Sequence, residues 1–158
     1  MRQQLNRSII ARGVLAVLLS ASFVAAVEKP PTPDFNAARD ELVKILAGFV
    51  RIDTSNPPGN ETKGAEYLKS LLDHEGIPSE IFEMERGRGN IVARLKGNGK
   101  KKPLLLMGHI DVVGVEREKW TVDPFGGIVK DGYLYGRGSS DDKGMTSACL
   151  EVFLCFTG

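Results

Sequence analysis

The chain has 158 residues, of which 42% are hydrophobic and 26% charged, with 18 glycines, 8 prolines and a formal net charge of +1. That balance belongs to globular proteins and excludes disordered, collagen-like and coiled-coil classes. One stretch departs from it: residues 1–26 carry Arg2, Arg7 and Arg12 and no acid, and end in an apolar run over 13–26.

A basic start, a short apolar core and the small residues Val24-Ala25-Ala26 make the pattern of a secretory signal peptide. Cleavage is expected after Ala26, with an exported product, periplasmic or secreted. The apolar run is interrupted by Ser20 and Ser22 and is too short to span a bilayer, so no stable membrane span is expected after signal removal. Without the three arginines the charge passes from +1 to −2, which argues against a nucleic-acid partner. Lys96, Lys100, Lys101 and Lys102 surround Gly97-Asn98-Gly99 with no aromatic residue between them, and are expected at a solvated hairpin tip.

Asp34 precedes Phe35, Leu42, Ile45, Leu46 and Phe49 at helical spacing, which predicts a first helix over 35–50 capped by Asp34. Residues 51–59 include Asn56-Pro57-Pro58-Gly59, and the two prolines make this a loop. A second helix is expected over 61–75, with Ala65, Leu68, Leu71 and Leu72 on one face and Gly76 as its stop. Strands are predicted over 79–84, 90–95 and 104–110, the last a continuous apolar run typical of a strand buried on both faces.

Residues 128–135, with Asp131-Gly132 at their centre, predict a hairpin. A final helix is expected over 142–156, its apolar stripe formed by Met145, Ala148, Cys149, Val152 and Phe156. Cys149 and Cys155 lie about 9 Å apart along the axis of that helix and point to different faces, so they are not expected to pair with each other. Phe153-Leu154-Cys155-Phe156 has no polar face, and expects cover on several sides.

The chemistry concentrates at the end of the third predicted strand. His109 and Asp111 are two apart, so both side chains leave the same face and can meet. The carboxylate can hold the imidazole in one tautomer while the other ring nitrogen binds a metal; a structural histidine hydrogen-bonded to a neighbouring acid is the plainer alternative. Gly136-Arg137-Gly138-Ser139-Ser140-Asp141-Asp142-Lys143-Gly144 then brings two carboxylates to a helix start. One of them is expected to cap the helix, and a carboxylate bridging two divalent ions is the role left for the other. The third glycine of a dinucleotide loop is missing, no serine nucleophile elbow is present, and His74 beside Glu75 reads as a surface residue.

Together, His109-Ile110-Asp111-Val112-Val113, Trp120 with Asp123-Pro124-Phe125, and Gly136-Arg137-Gly138 through Asp141-Asp142-Lys143-Gly144-Met145 resemble a known family. It is the zinc-dependent metallopeptidases and deacylases that include glutamate carboxypeptidase, aminoacylase, acetylornithine deacetylase and succinyl-diaminopimelate desuccinylase. The resemblance runs from about Asp34 to Val152 and takes in the segment 51–59. It implies an α/β catalytic domain of the phosphorylase/hydrolase-like kind, a mixed sheet flanked by helices. It also implies His109 and Asp141 as ligands, with Asp141 bridging two zinc ions (or cobalt or manganese), Asp111 clamping the imidazole, and a cis peptide between Asp141 and Asp142.

The family's Glu-Glu pair, further ligands and smaller lid domain, through which members often dimerise, have no counterpart here. Zinc in a catalytic site takes three protein ligands and a water, whereas the reachable set is His109 and Asp141 with Asp111 behind. The expectation is therefore a signal peptide over 1–26 followed, over 27–158, by the N-terminal part of a catalytic domain. The parent is expected to cleave peptide or N-acyl amino acid amide bonds with metal-activated water, and this chain to be inactive alone. A non-catalytic copy acting at most as a binding fragment is the rival expectation.

Overall fold

The computed structural model describes residues 34–156. The predicted signal peptide lies outside the described residues. Among the described residues three α-helices, α1 (Phe35–Val50), α2 (Glu61–His74) and α3 (Lys143–Leu154), and a short 3-10 turn at Arg117–Lys119 accompany four strands, β1 (Ser79–Glu83), β2 (Gly89–Ala93), β3 (Ile128–Lys130) and β4 (Tyr133–Tyr135). No helix among the described residues is long and apolar enough to cross a membrane.

α1 starts where its cap predicts, because the Asp34 carboxylate accepts from the backbone N–H groups of Asn36 and Ala37. Its C-terminal half supplies the core, with Ile45, Ala47, Phe49 and Val50 buried. α2 turns Ala65, Leu68 and Leu72 inward against the β1–β2 hairpin, and Ile77 closes the same cluster. Phe49 stacks on Tyr67 at 5.9 Å between ring centroids, and the Tyr67 hydroxyl donates to the carbonyl of Ile45 at 2.9 Å, tying α1 to α2. β1 and β2 run antiparallel with Ile81 opposite Ile91. In the β3–β4 hairpin Lys130 pairs with Tyr133, and the two turn residues take positive φ, +52° at Asp131 and +80° at Gly132, as a two-residue primed turn requires.

The α/β class holds, but its sheet consists of these two antiparallel pairs and one isolated parallel bridge, Ser55 to Val112. Residues 104–110 do not form the expected buried strand. They join no ladder among the described residues, and Leu104, Leu105 and Met107 are 79%, 77% and 75% exposed. An apolar run records what a segment can bury; a strand also needs partners at its edges and cover on its faces, and only the parallel bridge beyond its C-terminal end is supplied here. For the same reason the lysines at 96 and 100–102 sit in an exposed loop rather than at a hairpin tip.

α3 corrects a second expectation. Its buried stripe is Lys143, Ser147 and Glu151, while Met145, Val152 and Phe156 face outward. The cause is polar: the Lys143 ammonium donates to the carbonyls of Phe49 at 3.0 Å, near the end of α1, where the Ile52 N–H also donates, and of Ile52 at 2.5 Å, just beyond the helix. It also sits 4.9 Å from the centre of the Phe49 ring. Burial lowers the Lys143 pKa from its ordinary value to about 8, against the pull of Asp53. Cys149 and Cys155 are both free thiols.

Glu151 ends this stripe with Oε2 buried and without a hydrogen-bond partner. Burial, assisted by the negative charge of Glu41, raises its pKa. A carboxyl whose folded pKa is raised contributes its full stability below the unfolded value and loses it as pH climbs through the folded one. Glu151→Gln is therefore expected to stabilise the fold by about 1 kcal/mol at pH 7. Denaturant titrations should show that gain shrinking as pH falls to 4 and below.

Candidate functional site

Two backbone segments meet to build the site. The first is the extended run ending in His109 and Asp111, and the second is the loop from Gly136 to Asp142 that joins β4 to α3. The imidazole lies between carboxylates from each: Nδ1 is 3.0 Å from Asp111 Oδ1, and Nε2 is 2.9 Å from Asp141 Oδ1. Both contacts as hydrogen bonds need a proton on each ring nitrogen. Burial draws the His109 pKa down, and the hydrogen bonds and charges of Asp141 and Asp111 outweigh it, leaving the imidazole above its ordinary value. A cleft of about 230 Å³ opens over this pair, lined by His109, Asp111, Val113 and the glycine-rich loop.

Asp111 is itself held from behind. Asn56 Nδ2 donates to Asp111 Oδ2 at 3.3 Å, and the Asn56 backbone N–H donates to the carbonyl of Val112 at 2.9 Å. The Thr54 hydroxyl, fully buried, donates to the carbonyl of Ile110 at 2.6 Å, and the Val112 N–H returns to the carbonyl of Thr54. The loop at 51–59, with cis bonds before Pro57 and Pro58, thus serves as a short neighbouring strand for the backbone around Asp111. On the other side Arg137 lies over the Trp120 ring at 5.2 Å and its N–H donates to the carbonyl of Pro124. These contacts attach the glycine-rich loop to the Trp120 to Phe125 segment.

The Asp141–Asp142 peptide is cis. Asp142 stands at the N-cap position of α3, but its carboxylate makes no capping bond; it accepts from the backbone N–H of His109 instead, at 3.2 Å. The expectation that one acid of this pair caps the helix is therefore replaced by a contact between the helix start and the site. His74 lies apart, exposed, with Nδ1 2.8 Å from Glu75.

His109 and Asp141 offer the nitrogen and oxygen donors that zinc takes, converging on one point with a carboxylate behind the imidazole. They fit as two ligands of a divalent ion. Among the described residues no group of three or more His, Cys, Asp or Glu side chains is placed to hold a metal, so the pair does not complete a site. Sequence reasoning missed Asn56 and Thr146, both of which touch the site. For Thr146 a signal existed: it stands four residues after Asp142, a polar pair on one face of a largely apolar helix.

Residues 105–157 match the sequence profile of Peptidase family M20/M25/M40. The chain is 44% identical over 116 residues to a probable succinyl-diaminopimelate desuccinylase of Staphylococcus aureus strain Mu50, covering 72% of this chain and 28% of that protein. It is 34% identical to an N-formyl-4-amino-5-aminomethyl-2-methylpyrimidine deformylase of Halalkalibacterium halodurans, over 71% of this chain and 27% of that one. Among solved structures, human carnosine dipeptidase 1 superposes with a TM-score of 0.59 at 25% identity, over 77% of this chain and 29% of the dipeptidase. The chain thus spans less than a third of the length of the relatives it matches. Motifs, fold and relatives all point to Peptidase family M20/M25/M40, whose profile the chain matches over residues 105–157.

Proposed function

We propose that this chain contributes part of a metal-dependent active site that hydrolyses the amide bond of a small peptide or an N-acyl amino acid. The observation that carries the reading is the imidazole of His109 set between Asp111 and Asp141, 3.0 and 2.9 Å away, over an open cleft. The relatives named as desuccinylase, deformylase and dipeptidase support the bond type, since all three names describe cleavage at an acylated nitrogen.

In this reading His109 Nε2 and Asp141 would hold divalent metal, zinc by the family resemblance. When bound, such ions polarise a carbonyl and make water a nucleophile at neutral pH. Asp111 keeps the proton on Nδ1 so that Nε2 presents its lone pair, and Asn56 fixes Asp111 in that orientation. The exposed carboxylate of Asp141 leaves room on its outer side for ligands from elsewhere. No general base is supplied by these residues, so the 158-residue chain is proposed to be inactive alone. The pattern at 1–26 supports export of the product.

A non-catalytic binding fragment is favoured by one observation, the incomplete donor set. Zinc titration into the purified chain, and hydrolysis of dipeptides and N-acetyl amino acids by a longer protein carrying it, separate the two. Weak zinc binding that is lost in His109→Ala, together with chelator-sensitive turnover by the longer protein, is expected. Turnover by the 158-residue chain that survives chromatography and vanishes in His109→Ala would refute the incomplete site. Absence of zinc binding would refute the metal reading.

A further inference from the structure

Among the described residues, His109 sits at the end of a segment that joins no strand ladder. An extended backbone without a neighbouring strand leaves its N–H and C=O groups free to shift, and with them the side chain they carry. Around His109 both groups are nevertheless satisfied, and by side chains of one helix. Asp142 Oδ2 accepts from the His109 N–H at 3.2 Å, and the Thr146 hydroxyl donates to the His109 carbonyl at 3.1 Å. Asp142 is the N-cap of α3 and Thr146 stands four residues on, in the first turn, so one helix start grips both sides of a single residue's backbone.

The residue before it makes room for the grip. A Cβ at position 108 would overlap the Thr146 hydroxyl and come within 2.8 Å of the Asp142 carboxylate, so only glycine lets both groups approach. The same helix start is anchored at Lys143 to the end of α1. The neighbour of Asp142 in the chain is Asp141, whose carboxylate meets the His109 ring. Both halves of the metal-binding pair are thereby placed by one turn of helix.

We infer that Asp142 and Thr146 are positioning residues for His109, a two-point backbone clamp that holds the His109 N–H and C=O where no strand among the described residues does and sets the imidazole at its distance from Asp141. The inference rests on the proposed metal-binding role of His109 for its consequence, and on the hydrogen bonds alone for its geometry. The bonds that place its two residues at the site go to the His109 backbone and not to the ring. Partners behind a ligand typically change metal affinity by about 10–100-fold when removed.

The test pairs removal with rescue in the 158-residue chain. Asp142→Ala and Thr146→Val each delete one hydrogen bond; Asp142→Asn keeps an acceptor oxygen and Thr146→Ser keeps the hydroxyl. Zinc affinity is measured by calorimetry, and exchange of the His109 amide hydrogen by NMR, with circular dichroism to confirm that α3 persists. Expected are a loss of zinc affinity of about tenfold or more in the Ala and Val variants, and values within about threefold of the parent in the Asn and Ser variants. Amide exchange at His109 should accelerate about tenfold or more in Asp142→Ala and stay slow in Asp142→Asn.

Gly108→Ala, which displaces both side chains, should reproduce the combined loss. Unchanged exchange in Asp142→Ala with the helix intact, or equal damage from Asn and Ala, would overturn the clamp. Should the parent chain bind no zinc while the exchange results come out as expected, the metal reading fails and the clamp stands.

Discussion

Asp141→Ala in the longer protein proposed to form the complete site should lower kcat/KM for amide hydrolysis by roughly a thousandfold or more, about 4 kcal/mol of transition-state stabilisation. Among the described residues its carboxylate is the acidic group that faces His109 Nε2, and it does so with its outer side open to solvent. By the family resemblance it would serve two ions, so its removal would disturb both, whereas Asp142 acts only through the His109 backbone and should cost about 10–100-fold. Steady-state kinetics of both variants under saturating metal decide the point. Similar, mild losses at Asp141 and Asp142 would mean that both carboxylates only shape the loop.

Lys143→Met is expected to destabilise the chain by about 1–3 kcal/mol, the scale for leaving one buried carbonyl, that of Ile52, without a donor while that of Phe49 keeps the Ile52 N–H. Methionine keeps the length and apolar stem of lysine, so the loss isolates the ammonium from its packing. The groups deprived are the carbonyls of Phe49 and Ile52, and the Phe49 ring no longer has a cation over its face. A sign follows from the lowered pKa: the folded state gives up the Lys143 proton near pH 8, while the unfolded chain holds it to about 10.5. The unfolded state then binds more protons over that window, so the stability of the parent relative to Lys143→Met should widen as pH rises from 8 toward 10.5. Equilibrium denaturation at about pH 7, 8.5 and 10 measures both effects. A variant as stable as the parent at every pH would show that α3 docks without the lysine.

Local signals were legible wherever a few neighbouring residues settle the outcome. The Asp34 cap, the proline loop at 51–59, the end of α2 before Gly76 and the Asp131-Gly132 turn all appear in the structure. The meeting of His109 and Asp111 followed from the two-residue repeat of an extended chain, and that of His109 and Asp141 from the family resemblance. What failed was anything that depends on which surfaces are brought together. The apolar run at 104–110 and the apolar stripe of α3 both predicted burial, and both are largely exposed among the described residues.

By itself, then, the sequence determined the helix limits, the turn geometry, the family motifs and the identity of the imidazole and carboxylates that meet. The helix limits, the turn and the His109–Asp111 pair follow from backbone propensity, capping chemistry and the two-residue repeat of an extended chain, which act over a handful of residues, whereas Asp141 was identified through the family resemblance. Only the tertiary structure decided that Lys143 rather than Met145 faces α1, that Asp142 serves His109 instead of capping its own helix, and that Asn56 stands behind Asp111. Each of those contacts joins residues tens of positions apart, and each is selected by a carbonyl, amide or carboxylate that would otherwise lack a partner. At Lys143, Asp142 and Asn56 that requirement decides the contact, because an unpaired buried polar group costs about as much as burying a side chain gains, although the same face of α3 also buries Ser147 Oγ and Glu151 Oε2 without partners.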